Sequence, residues 1–337
     1  MAERSLSEQL DQAVQAMIAR PRVKVSRVGA RLAPLLGVAA ELRHMPRPGF
    51  KAYLKSDLER KASMATITQT SARVRRPAVD PVPKGYRTVT PYVVAQDGAG
   101  LIDFAKQVFG AEELFRTVGS AGGIHCEVRI GDSMVMIGGG RPGHEFRSQP
   151  APAALHVYVE DTDAAYQRAL AAGATSLSPP ADQEYGERGG GVKDRFGNYW
   201  YIATALGRHY IPEGLHNVNP YLHPLRAPRM IEFLKQAFGA QPDAIYQSPD
   251  GVVHHARVKI GDSMIEMGEA NGPYQPMPSM FYLYVKDCDA LYASAMKAGA
   301  TSISEPADQS YGDRSAGVRD PFGNQWYIAT HIKDVVG

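Results

Sequence analysis

The chain has 337 residues, 44% of them apolar, which is more than one small domain needs and enough to bury sizeable cores. A net charge of only +2 conceals an asymmetry: residues 1–87 carry 17 Lys and Arg against 7 Asp and Glu, so the remainder is acidic. Cys126 and Cys288 stand in no paired-ligand spacing, which argues against a disulfide framework or a thiolate metal site, and no apolar run approaches the ~18 residues of a membrane span.

The N-terminus lacks the apolar stretch of a signal peptide, so a cytoplasmic location is expected. Residues 5–19 follow helical spacing (Leu6, Leu10, Val14, Met17, Ile18) behind a Ser5/Glu8 capping pattern. Two further short apolar series lie around 28–42 and 50–58, giving a small, basic helical N-terminal region over 1–61. Its few apolar anchors require another surface to pack on, and its charge suits an acidic partner. Nucleic acid is not expected, because no aromatic platform or helix-turn-helix pattern accompanies the charge. Residues 62–85, rich in Ser, Thr, Pro and Arg, read as a linker.

From Tyr86 the period changes. A strand is expected over 87–94, a helix over 99–109 ending at Gly110, and strands over 113–118, 124–130 and 133–137, the last two joined by a tight turn at Gly131-Asp132. The same βαβββ order follows at 154–159, 163–172, 175–177, 189–193 and 199–204. After a link at 208–214 the whole pattern is repeated, with a strand at 218–222, a helix at 226–238 and later strands around 260–267, 281–285 and 298–302. The duplication is plainest where residues 180–204 and 306–330 align without a gap, 18 of 25 positions being identical.

The helix ends VFG and AFG (Gly110, Gly239), the repeated IGDSM (130–134, 260–264), YG[ED]R, and the closing Asp-x-Phe-Gly-Asn-x-Trp resemble the vicinal oxygen chelate superfamily of glyoxalases, bleomycin-resistance proteins and extradiol dioxygenases, and most of all its PhnB-like branch. The resemblance covers about residues 86–335. It implies an α+β fold, four βαβββ modules forming two tandem glyoxalase-like open barrels behind the small helical N-terminal arm, with domains over 86–206 and 215–335. A tandem repeat could also pair its modules across repeats, doing in one chain what a homodimer of single repeats does.

Strand 124–130 supports an inward polar face independently. Cys126, Val128 and Ile130 alternate with His125, Glu127 and Arg129, and a helix-covered face takes the apolar set. The second repeat offers His255, Arg257 and Lys259 at the matching strand. The resemblance implies metal ligands on the first and fourth strands of each module pair. Register carries these onto Thr90, Met136, Ala154 and Tyr201, and onto Asn219, Glu266, Met280 and Tyr327. Only Glu266 is a fitting donor, so no cofactor is expected and no metal at the usual positions. A displaced divalent site is the alternative, from His125, Glu127 and His156 in one repeat and His255, Glu266 and His223 in the other. His125, His156, Glu127 and Glu266 are equally the candidates for acid–base catalysis.

Tyrosines are abundant where a cavity is expected: Tyr92, Tyr158, Tyr185 and Tyr201 in the first repeat, and Tyr221, Tyr282, Tyr284, Tyr311 and Tyr327 in the second. Ring faces with hydroxyl tips suit a flat, partly polar organic molecule, unless the rings simply fill the barrel. Arg188 and Arg314 could clamp a carboxylate or phosphate, or pair with a neighbouring acid. The Asp-x-Phe-Gly-Asn turns are read as scaffold. The expected function is metal-independent binding of a small aromatic, polar molecule, as in sequestration by bleomycin-resistance proteins. The alternatives are a lyase, isomerase or dioxygenase, with or without a metal, or a chain whose basic arm docks on a partner while the barrels sense a ligand.

Overall fold

The structure, a computed structural model, describes residues 79–119, 122–140, 146 and 149–335; the helices expected over 1–61 and most of the linker lie outside the described residues. Four βαβββ modules follow one another. The first is β1 (Val89–Ala95), α1 (Gly98–Phe109), β2 (Glu112–Val118), β3 (Ile124–Ile130) and β4 (Ser133–Gly139), and the second is β5 (Ala154–Tyr158), α2 (Thr162–Ala171), β6 (Thr175–Gln183), β7 (Glu187–Lys193) and β8 (Tyr199–Ala205). The third comprises β9 (Val218–Leu222), α3 (Ala227–Phe238), β10 (Gln241–Gln247), β11 (Val253–Ile260) and β12 (Ser263–Met267). The fourth comprises β13 (Met280–Tyr284), α4 (Cys288–Lys297), β14 (Thr301–Asp308), β15 (Asp313–Arg319) and β16 (Gln325–His331). Asp97, Asp161 and Asp287 cap α1, α2 and α4 by accepting a backbone N–H three residues on, and α3 instead carries Pro228 in its first turn.

The strands join across the repeats. One eight-stranded sheet has the order β14-β15-β16-β13-β1-β4-β3-β2 and the other β10-β11-β12-β9-β5-β8-β7-β6. Modules one and four therefore build the first sheet through the antiparallel pair β1/β13, and modules two and three build the second through β5/β9. Neither repeat holds a sheet of its own.

The cores divide the other way. One apolar cluster draws α1 and α2 together with the strands of the first repeat, around Leu101, Ile102, Leu155, Trp200 and Ile202; the other draws α3 and α4 together with the strands of the second, around Leu234, Phe281, Trp326 and Ile328. The exceptions are reciprocal, since Val89 at the start of β1 sits in the second repeat's core and Val218 at the start of β9 in the first's. Each repeat is thus a unit by its core, while hydrogen bonding ties it to its twin. Each cysteine is buried in one core, and burial pushes both thiols up to about 11. A thiol reagent at pH 8 is expected to label Cys126 or Cys288 only when that core opens, so labelling at the rate of a free thiol in native buffer would contradict the packing.

The repeated IGDSM has a structural reason in this crossing. At the β3–β4 turn, Asp132 N–H donates to Asn217 Oδ1 at 2.9 Å, Asn217 N–H donates to Asp132 Oδ1 at 2.9 Å, and Val218 N–H donates to Ser133 Oγ at 3.0 Å. The β11–β12 turn makes the matching clasp on the start of β1: Thr88 N–H to Asp262 Oδ1 at 2.8 Å and Val89 N–H to Ser263 Oγ at 2.9 Å. Glycine is required at both turns. A Cβ on Gly131 would lie 2.0 Å from Asn217 Oδ1, one on Gly261 would lie 2.1 Å from Thr88 Oγ1, and both have φ near +60°.

Strands β6 and β14 run past the short segments expected from the sequence, through Pro179 and Pro180 and through Pro306. Each lies at the end of its sheet, where one row of N–H groups needs no partner, and register shifts absorb the irregularity. Among the described residues no helix is long and apolar enough to cross a membrane.

Candidate functional site

The helix-covered faces bury the apolar set of β3 and β11, with Cys126, Val128, Ala256 and Val258 fully enclosed. The opposite faces carry the polar set, and they differ between the two sheets. Strand register brings together Tyr92, Met136, Tyr282 and Tyr327 at the centre of the first sheet, and Tyr221, Glu266, His156 and Tyr201 at the centre of the second. These are the cross-strand neighbours on first and fourth strands. The positions carried over from the sequence, Thr90, Ala154, Asn219 and Met280, lie two residues earlier on the same strands and face the neighbouring first strand, Thr90 opposite Tyr282 and Ala154 opposite Tyr221.

In the second sheet a cavity of about 1090 Å³ opens over this centre. His156, Tyr158, Glu187, Tyr201 and Glu266 line its floor from modules two and three, together with Tyr221, His223, His255 and Arg257. Residues 205–215, the connector between repeats, and the segment around Tyr274 supply the walls. The rings touch one another: Tyr201 and Tyr221 have centroids 4.8 Å apart, His156 and Tyr158 4.5 Å, and His223 stacks on Tyr274 at 5.5 Å.

His156 Nδ1 meets Glu266 Oε2 at 2.5 Å, its Nε2 is 3.8 Å from Glu187 Oε2, and the Tyr158 hydroxyl donates to Glu187 at 2.6 Å. Burial alone would push His156 down, but the Glu266 carboxylate outweighs it and holds the imidazole above its ordinary range. Burial pushes Glu266 up, and His156 outweighs that in turn, keeping it ionised. The floor is therefore an imidazolium–carboxylate pair, with a side-chain exposure of 12% for His156 and 1% for Glu266. His223 differs. Burial pushes it down to about 4, so it is neutral at pH 7, and its Nε2 lies 2.6 Å from the Tyr201 hydroxyl. Burial raises the hydroxyls of Tyr158, Tyr201 and Tyr221, so none is a ready phenolate.

The first sheet presents the same positions already occupied. Tyr282 and Tyr284 both donate to Asp313 Oδ2, at 3.0 and 3.1 Å, and His331 Nδ1 meets Asp313 Oδ1 at 2.8 Å. Tyr92 pairs its hydroxyl with His125 Nδ1 at 2.8 Å, and His125 Nε2 stands 3.6 Å from Glu127. Val82 and Tyr86, from the segment before β1, pack on the cluster of Met136, Tyr282, Tyr284 and Ala329, as do Tyr92 and Tyr327.

Several sequence-derived groupings change. His125 and Glu127 lie in the first sheet and His156 in the second, because the modules pair across repeats, so the displaced metal set His125/Glu127/His156 is not assembled. His255, Glu266 and His223 do share the second cavity, but Glu266 is taken by His156 and His223 by Tyr201. Among the described residues no three His, Cys, Asp or Glu side chains are placed to hold a metal ion. Arg188 is not a ligand clamp: it bonds Asp163 and Asp182 on the outer surface, and Arg314 bonds Asp289 and Asp308 in the same way. Tyr185 borders the cavity although largely exposed, and Tyr311 is exposed beside Ser315. The sequence places a link at 208–214 but sets neither it nor Tyr274 at the cavity, because neither has a strand periodicity to orient it.

The model of the Glyoxalase/Bleomycin resistance protein/Dioxygenase superfamily matches residues 88–202 and 226–328. An uncharacterised protein of Mycobacterium bovis is 38% identical over 126 residues, covering 35% of this chain and 83% of the relative. Among solved structures, glyoxalase I from Zea mays superposes with a TM-score of 0.56 at 14% identity, over 72% of this chain and 92% of that one. A putative dioxygenase from Bacillus subtilis gives 0.50 at 13% identity, over 73% and 85%. At these identities the two structures speak for the fold alone.

Proposed function

This chain belongs to the Glyoxalase/Bleomycin resistance protein/Dioxygenase superfamily, and we propose that it binds one small, aromatic and polar organic molecule in the cavity of the second sheet without a metal, in the manner of a sequestering protein. The fold supports small-molecule binding or vicinal-oxygen-chelate chemistry in general. One observation carries the narrower reading. On the first and fourth strands, where the family resemblance would put metal ligands, the cavity floor holds an ion pair, His156–Glu266, flanked by Tyr201 and Tyr221. Ring faces line the walls, and a volume of about 1090 Å³ admits a drug-sized ligand.

The Tyr201–His223 contact favours a second reading, a metal-free lyase or isomerase. A neutral imidazole 2.6 Å from a hydroxyl can relay a proton to a bound substrate.

The test is ligand capture by protein dialysed against a chelator, followed by mass spectrometry. An aromatic compound retained at one per chain and recovered unchanged is expected, with Tyr221→Ala weakening retention by about 10-fold through lost ring contact. A chemically altered product would favour the enzyme. Capture that requires a divalent ion restored after dialysis would overturn the metal-independent reading.

A further inference from the structure

The duplication supplies an internal comparison at the acid of the cavity floor. Register pairs Asp313 with His331 in the first sheet and Glu187 with Ala205 in the second. It likewise sets Tyr282 beside Tyr327 and Tyr284 beside Ala329, against His156 beside Tyr201 and Tyr158 beside Ala203. Glu187 is therefore the counterpart of Asp313, His156 of Tyr282, Tyr158 of Tyr284 and Ala205 of His331.

The two acids are served differently. The Asp313 carboxylate binds three side chains: one oxygen accepts from Tyr282 and Tyr284 at 3.0 and 3.1 Å, and the other meets His331 Nδ1 at 2.8 Å. Among the described residues the Glu187 carboxylate keeps one of these bonds, from the Tyr158 hydroxyl to Oε1 at 2.6 Å. In place of the His331 imidazole stands the methyl group of Ala205, which lines the cavity. His156 Nε2 is 3.8 Å from Glu187 Oε2, too far for a hydrogen bond. With Glu266 at Nδ1 and Glu187 beyond Nε2, both ring nitrogens of His156 carry hydrogen. A donor and an acceptor thus face one another across a gap that a single oxygen spans at ordinary hydrogen-bond length from each. The gap is within reach of the cavity: both side chains line it and each is 12% exposed, where that of Asp313 is 4% exposed.

We propose that the ligand presents a hydroxyl group to this gap, donating to Glu187 Oε2 in place of the first sheet's histidine and accepting from His156 Nε2. A hydroxyl makes both bonds, as water does. An ether oxygen only accepts, and an ammonium only donates and meets the imidazolium as a like charge. This rests on the reading of the second cavity as an aromatic site, and it adds the substituent and the place where it binds.

The probes are 2-naphthol, 2-naphthalenemethanol, 2-methoxynaphthalene and 2-naphthylmethylamine, titrated into the full chain near neutral pH by calorimetry. At least one hydroxyl probe is expected to bind about 10-fold more tightly than the ether and the ammonium, the effect of one hydrogen bond to a charged group. The tighter of the two assigns an aryl or an alkyl hydroxyl. Ala205→His restores the donor found in the first sheet and is expected to bring the hydroxyl probes down to the level of the ether. Glu187→Gln keeps an acceptor for Tyr158 and turns an N–H₂ group toward the gap, so the ether is expected to bind as tightly as the hydroxyls. A cooperative urea transition in each variant excludes a folding defect. The proposal is overturned if neither hydroxyl outbinds the ether and the ammonium, or if either variant leaves that preference intact. The aromatic-site reading survives those results, because the probes still bind; failure of every probe to bind the wild type overturns that reading and the proposal with it.

Discussion

Replacing His156 by Leu is expected to destabilise the protein by about 3–5 kcal/mol near pH 7, the usual consequence of leaving one member of a buried ion pair behind. Glu266 is 1% exposed, and His156 is its closest cationic partner at 2.5 Å. The pH dependence follows from the directions of the shifts. His156 is raised above its ordinary 6.5, so its contribution is complete below that pH and is lost as pH rises through the higher folded value. Glu266 is lowered from 4.5, so its contribution is complete above that pH and is lost as pH falls through the lower folded value. The pair therefore stabilises most between pH 4.5 and 6.5. In the Leu variant the deficit shrinks toward acid, where Glu266 can take a proton. The first sheet shows how the positions are filled without charge, with Tyr282 and Met136, the tyrosine donating to Asp313. Its counterpart acid in the second sheet is Glu187. His156→Tyr with Glu266→Met is accordingly expected to recover most of the lost stability in urea denaturation. A single variant within about 1 kcal/mol of wild type, a typical neutral hydrogen bond, or a double variant no better than the single, would show that the pair contributes little.

Much of the architecture was legible because the chain states it twice. The change from period 3.6 to period 2 at Tyr86, the glycine-terminated helices and the repeated IGDSM place the elements of the first repeat closely, apart from the length of β6, and those of the second more coarsely. Partnership between modules was not legible. A βαβββ unit buries its helix against its neighbour in sequence, which the apolar pattern shows, but an edge strand offers the same hydrogen bonds to whichever module reaches it. The choice is made by groups that look unremarkable in sequence, such as Asn217 clasping Asp132 and Thr88 clasping Asp262. Since pairing across repeats decides which residues share a cavity, His125 and His156 could be identified as inward-facing while their separation could not. The two-residue offset on first strands has a similar origin: side-chain alternation gives the face of Tyr92 and Thr90 alike, and only the register against β4, which sets Tyr92 opposite Met136, distinguishes them. Arg188 illustrates a different limit, since a guanidinium beside a cavity and one paired to Asp163 on its outer surface carry the same sequence signature.

The doubled stretch that most plainly marks the duplication is expected to be the most sensitive scaffold element. Asp320→Ala should lower stability by about 3–5 kcal/mol, with Asp194→Ala similar, through loss of several hydrogen bonds to a buried carboxylate. Asp320 Oδ1 accepts the N–H groups of Phe322 and Asn324 at 2.8 and 2.9 Å, and Oδ2 accepts Asn324 Nδ2 and Trp326 Nε1 at 2.8 and 2.9 Å. Asn324 Oδ1 in turn receives the Ser279 N–H at 2.9 Å, fixing the entry to β13. Four donors converge on two acceptor atoms inside the protein, where burial pushes the carboxyl above the usual aspartate range despite them. Alanine leaves the indole N–H of fully buried Trp326 unsatisfied and frees the turn that starts β16, the strand paired with both β13 and β15. Asparagine is not expected to rescue it, because its own N–H₂ would confront either the indole and Asn324 donors or the two backbone N–H groups. Chemical denaturation of the Ala and Asn variants decides the matter: near-wild-type stability for Asp320→Asn would mean that two of the four bonds suffice, and the turn would then be a local feature and not the anchor of the fourth module.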